Sequence, residues 1–205
     1  MSFVRTVRIT LLALSAMVGL AAVSHAANPT LDDLQAAFDG ESNANARYLA
    51  FAEKADADGY HQVASLFRAA ATAEKIHADN HAKVIKDLGG EPRADIGKPD
   101  VKSTRDNLAA AIAGESYERD TMYPGFIKTA ETAGLTRAVR TFKFAIAAEA
   151  HHATLYAEAL ANLEGWREGA RAFYVCPVCG ETVSARPDAR CPVCKASGEK
   201  FLKVD

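Results

Sequence analysis

From Leu31 onward the apolar positions recur every three or four residues: Leu31, Leu34, Ala37 and Phe38, then Leu49 and Ala52. That is the period of an amphipathic helix. Between them the same stripe turns polar at Glu41, Asn45 and Tyr48. Thr30 is the predicted N-cap, with Asp32 and Asp33 in the first turn, and Asp58-Gly59 is the predicted stop. A second helix is predicted over 61–88 from Val63, Leu66, Phe67, Ala70, Ala71 and Val84, ending at Gly89-Gly90. Residues 89–103 carry Gly89, Gly90, Pro92, Gly97 and Pro99 and are too long for a tight turn. A third helix is predicted over 104–133, stopped by Gly134, and a fourth over 136–163. Four helices with one long connection describe a mainly α bundle with a crossover after the second helix.

The polar interruptions repeat. Gly40-Glu41-Ser42 is followed by Glu74-Lys75-Ile76-His77, and Gly114-Glu115-Ser116 by Glu149-Ala150-His151-His152. Tyr48 aligns with Tyr123, Phe51 with Phe126, Gly59 with Gly134 and Phe67 with Phe142, with one extra residue between Glu115 and Tyr123. The halves therefore read as two related hairpins about a pseudo-twofold axis. From Glu41 to Gly59 the helix runs about 27 Å, and from Gly59 back to Glu74 about 23 Å. Each Glu thus meets its Glu-x-x-His near one level, and Glu and His three apart share a helical face. Glu118, three residues after Glu115, adds a seventh candidate.

A Glu plus a Glu-x-x-His, given twice, is the ligand supply of a di-iron carboxylate site in a four-helix bundle. Single acids on amphipathic helices are ordinarily surface residues. Five inward glutamates without metal would repel one another at large cost, and two cations remove that cost. His81 follows His77 at a zinc-like spacing, but Ala78-Asp79-Asn80 lacks the Glu of a His-Glu-x-x-His motif, so His81 reads as a bystander. His151 and His61 read as outward-facing, and Met122 and Trp166 as packing residues.

All four cysteines lie near the C-terminus, as Cys176-Pro177-Val178-Cys179 and Cys191-Pro192-Val193-Cys194. Two Cys-x-x-Cys knuckles form a tetrahedral sulfur site, the alternative being disulfide pairs. Iron and zinc both accept four thiolates, and spacing does not separate them. So small a module needs the metal for much of its folding energy. Tyr174 and Phe201 are its expected local packing. Lys195 follows the second knuckle where Gly180 follows the first.

A hydrophobic content of 49% excludes wholesale disorder, and a formal charge of −2 offers no basic field for nucleic acid. Residues 1–26 read separately. Arg5 and Arg8 precede the uncharged run Ile9–Val23, and Ser24-His25-Ala26 places small residues for cleavage before Ala27. This is the pattern of a signal peptide for export to the periplasm. A retained membrane anchor and a buried helix are the alternatives; the apolar run is shorter than the roughly 20 residues of a span. Domain organisation is thus read as 1–26 signal peptide, 27–165 helical bundle and 172–205 cysteine module.

From residue 30 to 205 the chain resembles the rubrerythrin family. The marks are Glu115-Ser116-Tyr117-Glu118, with its extra acid, and the terminal four-cysteine module. The resemblance implies a ferritin-like bundle with a rubredoxin-like domain. It implies two irons bridged by Glu74 and Glu149, with Glu41 on the first and Glu115 and His152 on the second. It implies that the first iron exchanges between His77 and Glu118 with redox state, and that Tyr48 and Tyr123 hydrogen-bond the iron carboxylates. The implied activity is a peroxidase that reduces hydrogen peroxide to water in oxidative-stress defence. Its electrons come from an unidentified donor through one iron in the four-cysteine site. A homodimer is implied as well, because the module of one subunit commonly sits beside the di-iron site of another. The rival reading is an iron-binding or ferroxidase protein with a structural zinc knuckle.

Overall fold

The computed structural model describes residues 28–205. The proposed signal segment and its cleavage site lie outside the described residues. Helix α1 spans Pro29–Ala57, α2 His61–Asp87, α3 Thr104–Tyr117, α4 Tyr123–Thr132 and α5 Thr136–Ala161. Helices α1 and α2 pack as one hairpin, α3 and α4 pack along α5, and α2 meets α5 across the bundle. Among the described residues no helix is long and apolar enough to cross a membrane.

Two helix boundaries differ from the sequence-based expectation. The N-cap of α1 is Asn28 rather than Thr30, because Pro29 occupies the first turn, where its missing N–H costs nothing. Thr30 is instead buried. The third predicted helix is interrupted by a π-helical segment, Glu118–Met122, between α3 and α4. The extra residue between Glu115 and Tyr123 is its physical cause. A π-turn absorbs one inserted residue without rotating the helix beyond it, so Glu115 and Tyr123 both stay buried on the inner face.

Gly59, Gly89 and Gly134 all adopt positive φ at the predicted helix stops. The long connection lies along α1, whose Gln35, Asp39 and Asn43 side chains bond its backbone. Asp95 N–H donates to Asp39 Oδ1 at 2.8 Å, and Gly97 N–H to Asn43 Oδ1 at 3.0 Å. Gln35 and Arg93 pair as well. These bonds satisfy loop backbone that has no regular structure of its own.

The apolar core is split in two. One cluster contains Tyr48, Phe51, Leu66, Phe67, Tyr156 and Trp166. The other contains Leu34, Ile85, Tyr123 and Phe142, with the partly buried Phe126 packed against it. Along each core helix the buried glutamates fall between the two clusters, so a layer of acids crosses the bundle between apolar plugs. Water is kept from that layer on both sides.

After α5 a short 3₁₀ turn, Leu163–Trp166, leads to a three-stranded antiparallel sheet. Its strands are β1 Phe173–Val175, β2 Thr182–Val183 and β3 Leu202–Val204, in the order β2-β1-β3. Tyr174 pairs with Val183 and Phe173 with Val204. Phe173 and Val175 belong to the first bundle cluster, and Phe173 stacks on Trp166 with ring centroids 6.3 Å apart. The sheet is thereby anchored on the bundle.

Candidate metal centres

Four helices converge on the acid layer. Ligand atoms of Glu41, Glu74, His77 and Glu149 lie within 4.8 Å of one another, as do those of Glu74, Glu115, Glu149 and His152. Glu74 and Glu149 belong to both groups, which is the arrangement of bridging carboxylates. His77 turns Nδ1 inward, 3.0 Å from Glu74 and 3.1 Å from Glu149. His152 does the same, 3.0 Å from Glu149 and 3.4 Å from Glu74. All six side chains are essentially inaccessible.

Glu118 belongs to neither group. It opens the π segment on the rim of the layer. Burial and the charges of Glu41, Glu115, Glu149 and Glu74 push its carboxyl well above the usual range. Burial, then Glu149 and Glu41, raise Glu74 to about 7. Burial opposes charge on His77 and His152, but the facing carboxylates win and hold both imidazoles well above their ordinary values.

Several site atoms have no hydrogen bond of acceptable geometry: both oxygens of Glu149, one oxygen each of Glu41, Glu74 and Glu115, and Nδ1 of His152. Buried polar atoms are ordinarily paired. Here the orphans point into one layer and are carboxylate oxygen and imidazole nitrogen, a donor set that fits two iron or manganese ions.

The tyrosines cross between the halves. Tyr48 on α1 donates to Glu115 of α3 at 2.6 Å, and Tyr123 on α4 donates to Glu41 of α1. Each half thus orients the other's carboxylate. His81 belongs to neither ligand group and is fully buried. Its Nε2 is 3.2 Å from the Tyr123 hydroxyl and its Nδ1 3.2 Å from Thr141 Oγ1. Its spacing of four from His77 already put it on the inner face; only packing reveals its partners.

The four cysteines remain thiols, with Cys176 and Cys194 sulfurs 3.5 Å apart and Cys179 and Cys191 likewise. No disulfide joins them. A metal about 2.3 Å from each sulfur would set them about 3.8 Å apart, close to what is found. The two knuckles share one turn. Gly180 N–H donates to Cys176 O at 3.0 Å, and Lys195 N–H to Cys191 O at 3.1 Å. Gly180 has φ 79°, and Lys195 has φ 65°, the sole positive φ outside glycine among the described residues. The lysine therefore keeps the turn but bears its steric strain. Tyr174 and Phe201 pack against the cysteines, joined by Phe144 of the bundle.

The module sits on the acid layer of its own chain. His77 Nε2 is 3.0 Å from the carbonyl oxygen of Cys179, and His152 Nε2 is 3.0 Å from Thr182 Oγ1. Asn80 donates to Val178 O at 2.9 Å. His151 is half exposed yet pairs with the fully buried Glu181 at 2.6 Å. The two candidate metal sites of one chain are thus in direct contact. Sequence reasoning missed Asn80, Glu181 and Thr182 because their partners are 30 or more residues away and carry no local periodicity.

The chain is similar to known proteins over nearly all the described length. The family model described as Rubrerythrin matches residues 32–160. Nigerythrin of Nitratidesulfovibrio vulgaris is 37% identical over 177 residues, covering 86% of this chain and 87% of the relative. Rubrerythrin-2 of Clostridium acetobutylicum is 37% identical, covering 84% of this chain and 95% of the relative. A solved structure of fully reduced, all-ferrous nigerythrin superposes with a TM-score of 0.80 at 31% identity, over 96% of this chain and 100% of that one. With its ferritin-like bundle, carboxylate–histidine di-iron site and four-cysteine metal site, the chain belongs to the rubrerythrin family of oxidoreductases, di-iron proteins of oxidative-stress defence.

Proposed function

We propose that this protein reduces hydrogen peroxide to water, drawing electrons from an external donor through an iron in its four-cysteine site. The observation that carries this reading is the contact between His77 Nε2 and the carbonyl of Cys179, which joins a ligand of one metal site to a ligand of the other. Two irons bound among the glutamates supply, when reduced, the two electrons that cleave the O–O bond. The protein's own residues do the rest.

Glu74 and Glu149, common to both groups, would be shared by the two metals; Glu41 and His77 would hold the first and Glu115 and His152 the second. By the family resemblance His77 and Glu118 would alternate as ligands: neutral imidazole suits a ferrous ion, and an anionic oxygen would compensate ferric charge. Tyr48 and Tyr123 hold Glu115 and Glu41 in orientation. The two apolar clusters exclude bulk water, which strengthens every charge interaction in the layer.

Cys179→Ser tests the reading. It should abolish the four-thiolate charge-transfer colour and steady-state peroxidase activity with an external reductant, and leave a single turnover of the pre-reduced bundle intact. Steady turnover without the chromophore would overturn the relay through the module. A colourless, zinc-filled module in protein from its own host would favour the rival reading, iron binding or ferroxidase activity.

We further propose export with cleavage after Ala26, motivated by Arg5, Arg8 and the uncharged run Ile9–Val23. The mature N-terminus should read Ala27-Asn28-Pro29; recovery of intact Met1 protein from the cytosol would exclude this. Homodimer formation, with modules exchanged between copies, stays a proposal from the family resemblance, and sedimentation equilibrium decides it.

A further inference from the structure

Reduction of hydrogen peroxide to two waters breaks the O–O bond and consumes two electrons and two protons. The protons have to reach a layer sealed by two apolar clusters. One side of that seal is not apolar. A groove of about 460 Å³ between α2, α5 and the first cysteine knuckle is lined by Asn80, Lys83, Arg140, Phe144 and Val178, and reaches Thr141. From Thr141 a continuous row of hydrogen bonds runs inward. Thr141 Oγ1 meets His81 Nδ1, His81 Nε2 meets the Tyr123 hydroxyl, and Tyr123 meets Glu41 Oε1.

The direction of these bonds is set at their inner end. Glu41, as a carboxylate metal ligand, only accepts, so Tyr123 donates its proton to Glu41. The Tyr123 oxygen then accepts from His81, which must carry its proton on Nε2. Nδ1 is left as an acceptor, and Thr141 donates to it. Every donor points toward the metal layer, and the histidine tautomer is set by the row itself.

The pseudo-twofold mate lacks this row. The repeat aligns His77 with His152 and Phe67 with Phe142, so Tyr156 stands where His81 does and Leu66 where Thr141 does. The Tyr156 hydroxyl finds no hydrogen-bond partner, and Leu66 is fully buried in the apolar cluster. Packing of the bundle therefore does not require a histidine and a threonine at these positions. Only the half that contains Glu41 is connected to the groove.

We infer that Thr141, His81 and Tyr123 relay protons from the groove to Glu41 during peroxide reduction, an inference that rests on the peroxidase reading. In one passage a groove water gives a proton to Thr141 Oγ1 as Thr141 gives its own to His81 Nδ1. His81 releases its Nε2 proton to Tyr123, and Tyr123 releases its hydroxyl proton to Glu41 Oε1. Thr141, His81 and Tyr123 each gain one proton and lose one; Glu41 passes the proton it receives to the peroxide oxygen that leaves as water, and bulk solvent restores the proton lost by the groove water. Two passages, separated by return of His81 to its starting tautomer, supply the two protons of one turnover.

His81→Gln separates relay from positioning. A glutamine amide can accept from Thr141 and donate to Tyr123, but it cannot pass a proton from one end to the other. Single-turnover oxidation of the reduced protein by hydrogen peroxide, followed by stopped-flow absorbance, should slow about a hundredfold in His81→Gln. The visible bands of the oxidised di-iron site should stay as in the native protein, and the solvent deuterium isotope effect should grow. Thr141→Val, a near-isosteric change, should slow the same step and carries the test if the glutamine variant does not fold. Nitrogen NMR of the zinc-loaded native protein should report His81 as the neutral Nε2–H tautomer. Native rates in both variants, or the Nδ1–H tautomer, would overturn the relay. A native protein inert to peroxide would overturn the peroxidase reading and the relay with it. Native reactivity with unaffected variants would overturn the relay alone.

Discussion

Gly180 lies so close to His77 that a Cβ placed on it would overlap the imidazole at Nε2. The same glycine has φ 79°, so it serves the knuckle turn and the interdomain contact at once. No other residue satisfies both demands.

Gly180→Ala should therefore separate the module from the bundle. The left-handed backbone alone costs about 1–2 kcal/mol, and the clash adds to it. The four-thiolate chromophore should form, while steady-state peroxide reduction falls and single turnover of the pre-reduced bundle persists. Unchanged steady-state rates would show that the His77–Cys179 contact is not needed for electron flow.

Glu118→Ala should bind two irons, because Glu118 belongs to neither ligand group. Peroxide turnover should slow, since the variant lacks the anionic ligand proposed for the ferric state. Iron content and stopped-flow oxidation measured on the same sample check both halves of this prediction. Normal turnover would remove Glu118 from the mechanism.

Metal-free protein should lose stability as pH rises. Glu74 holds its proton to about 7 in the fold, against 4.5 for an ordinary glutamate. Between those values the folded chain binds more protons than the unfolded one. Stability therefore falls across that window, by up to roughly 3 kcal/mol from Glu74 alone, and continues to fall above it as His77, His152 and Glu118, all held above their ordinary values, lose their protons. Metal loading should reverse the trend, because cations displace the protons and bind more tightly as pH rises. Urea midpoints at pH 5 and 7.5, with and without metal, give the sign directly.

Lys195→Gly should stabilise the module. It relieves the positive φ at the second knuckle, offset in part by the greater freedom of glycine in the unfolded chain, for a net gain of up to about 1 kcal/mol. The Nζ contact with Pro192 O at 2.7 Å is exposed and should be a small loss. A lower midpoint for thermal loss of the thiolate colour would show that this contact outweighs the strain.

Order along the chain was enough to specify the elements and the chemistry within each. Helical period is local, so apolar stripes marked the helices and the polar positions Glu41, Glu74, Glu115 and Glu149 stood out within them. The knuckles were legible for the same reason, since three-residue spacing sets their turn. Even the π segment was foreshadowed by one surplus residue, although its form was not.

Packing in three dimensions settled what joins elements far apart. Cys179 meets His77 across 102 residues, and Thr141 meets His81 across 60. Such contacts depend on how a sheet anchored by Phe173 and Trp166 settles on the bundle, not on any period in the chain. His81 had the right spacing for an inward face, but a buried histidine takes its tautomer and partners from its neighbours in space. Whether it stands idle or connects a groove to a metal layer was therefore fixed only when α2, α4 and α5 packed together.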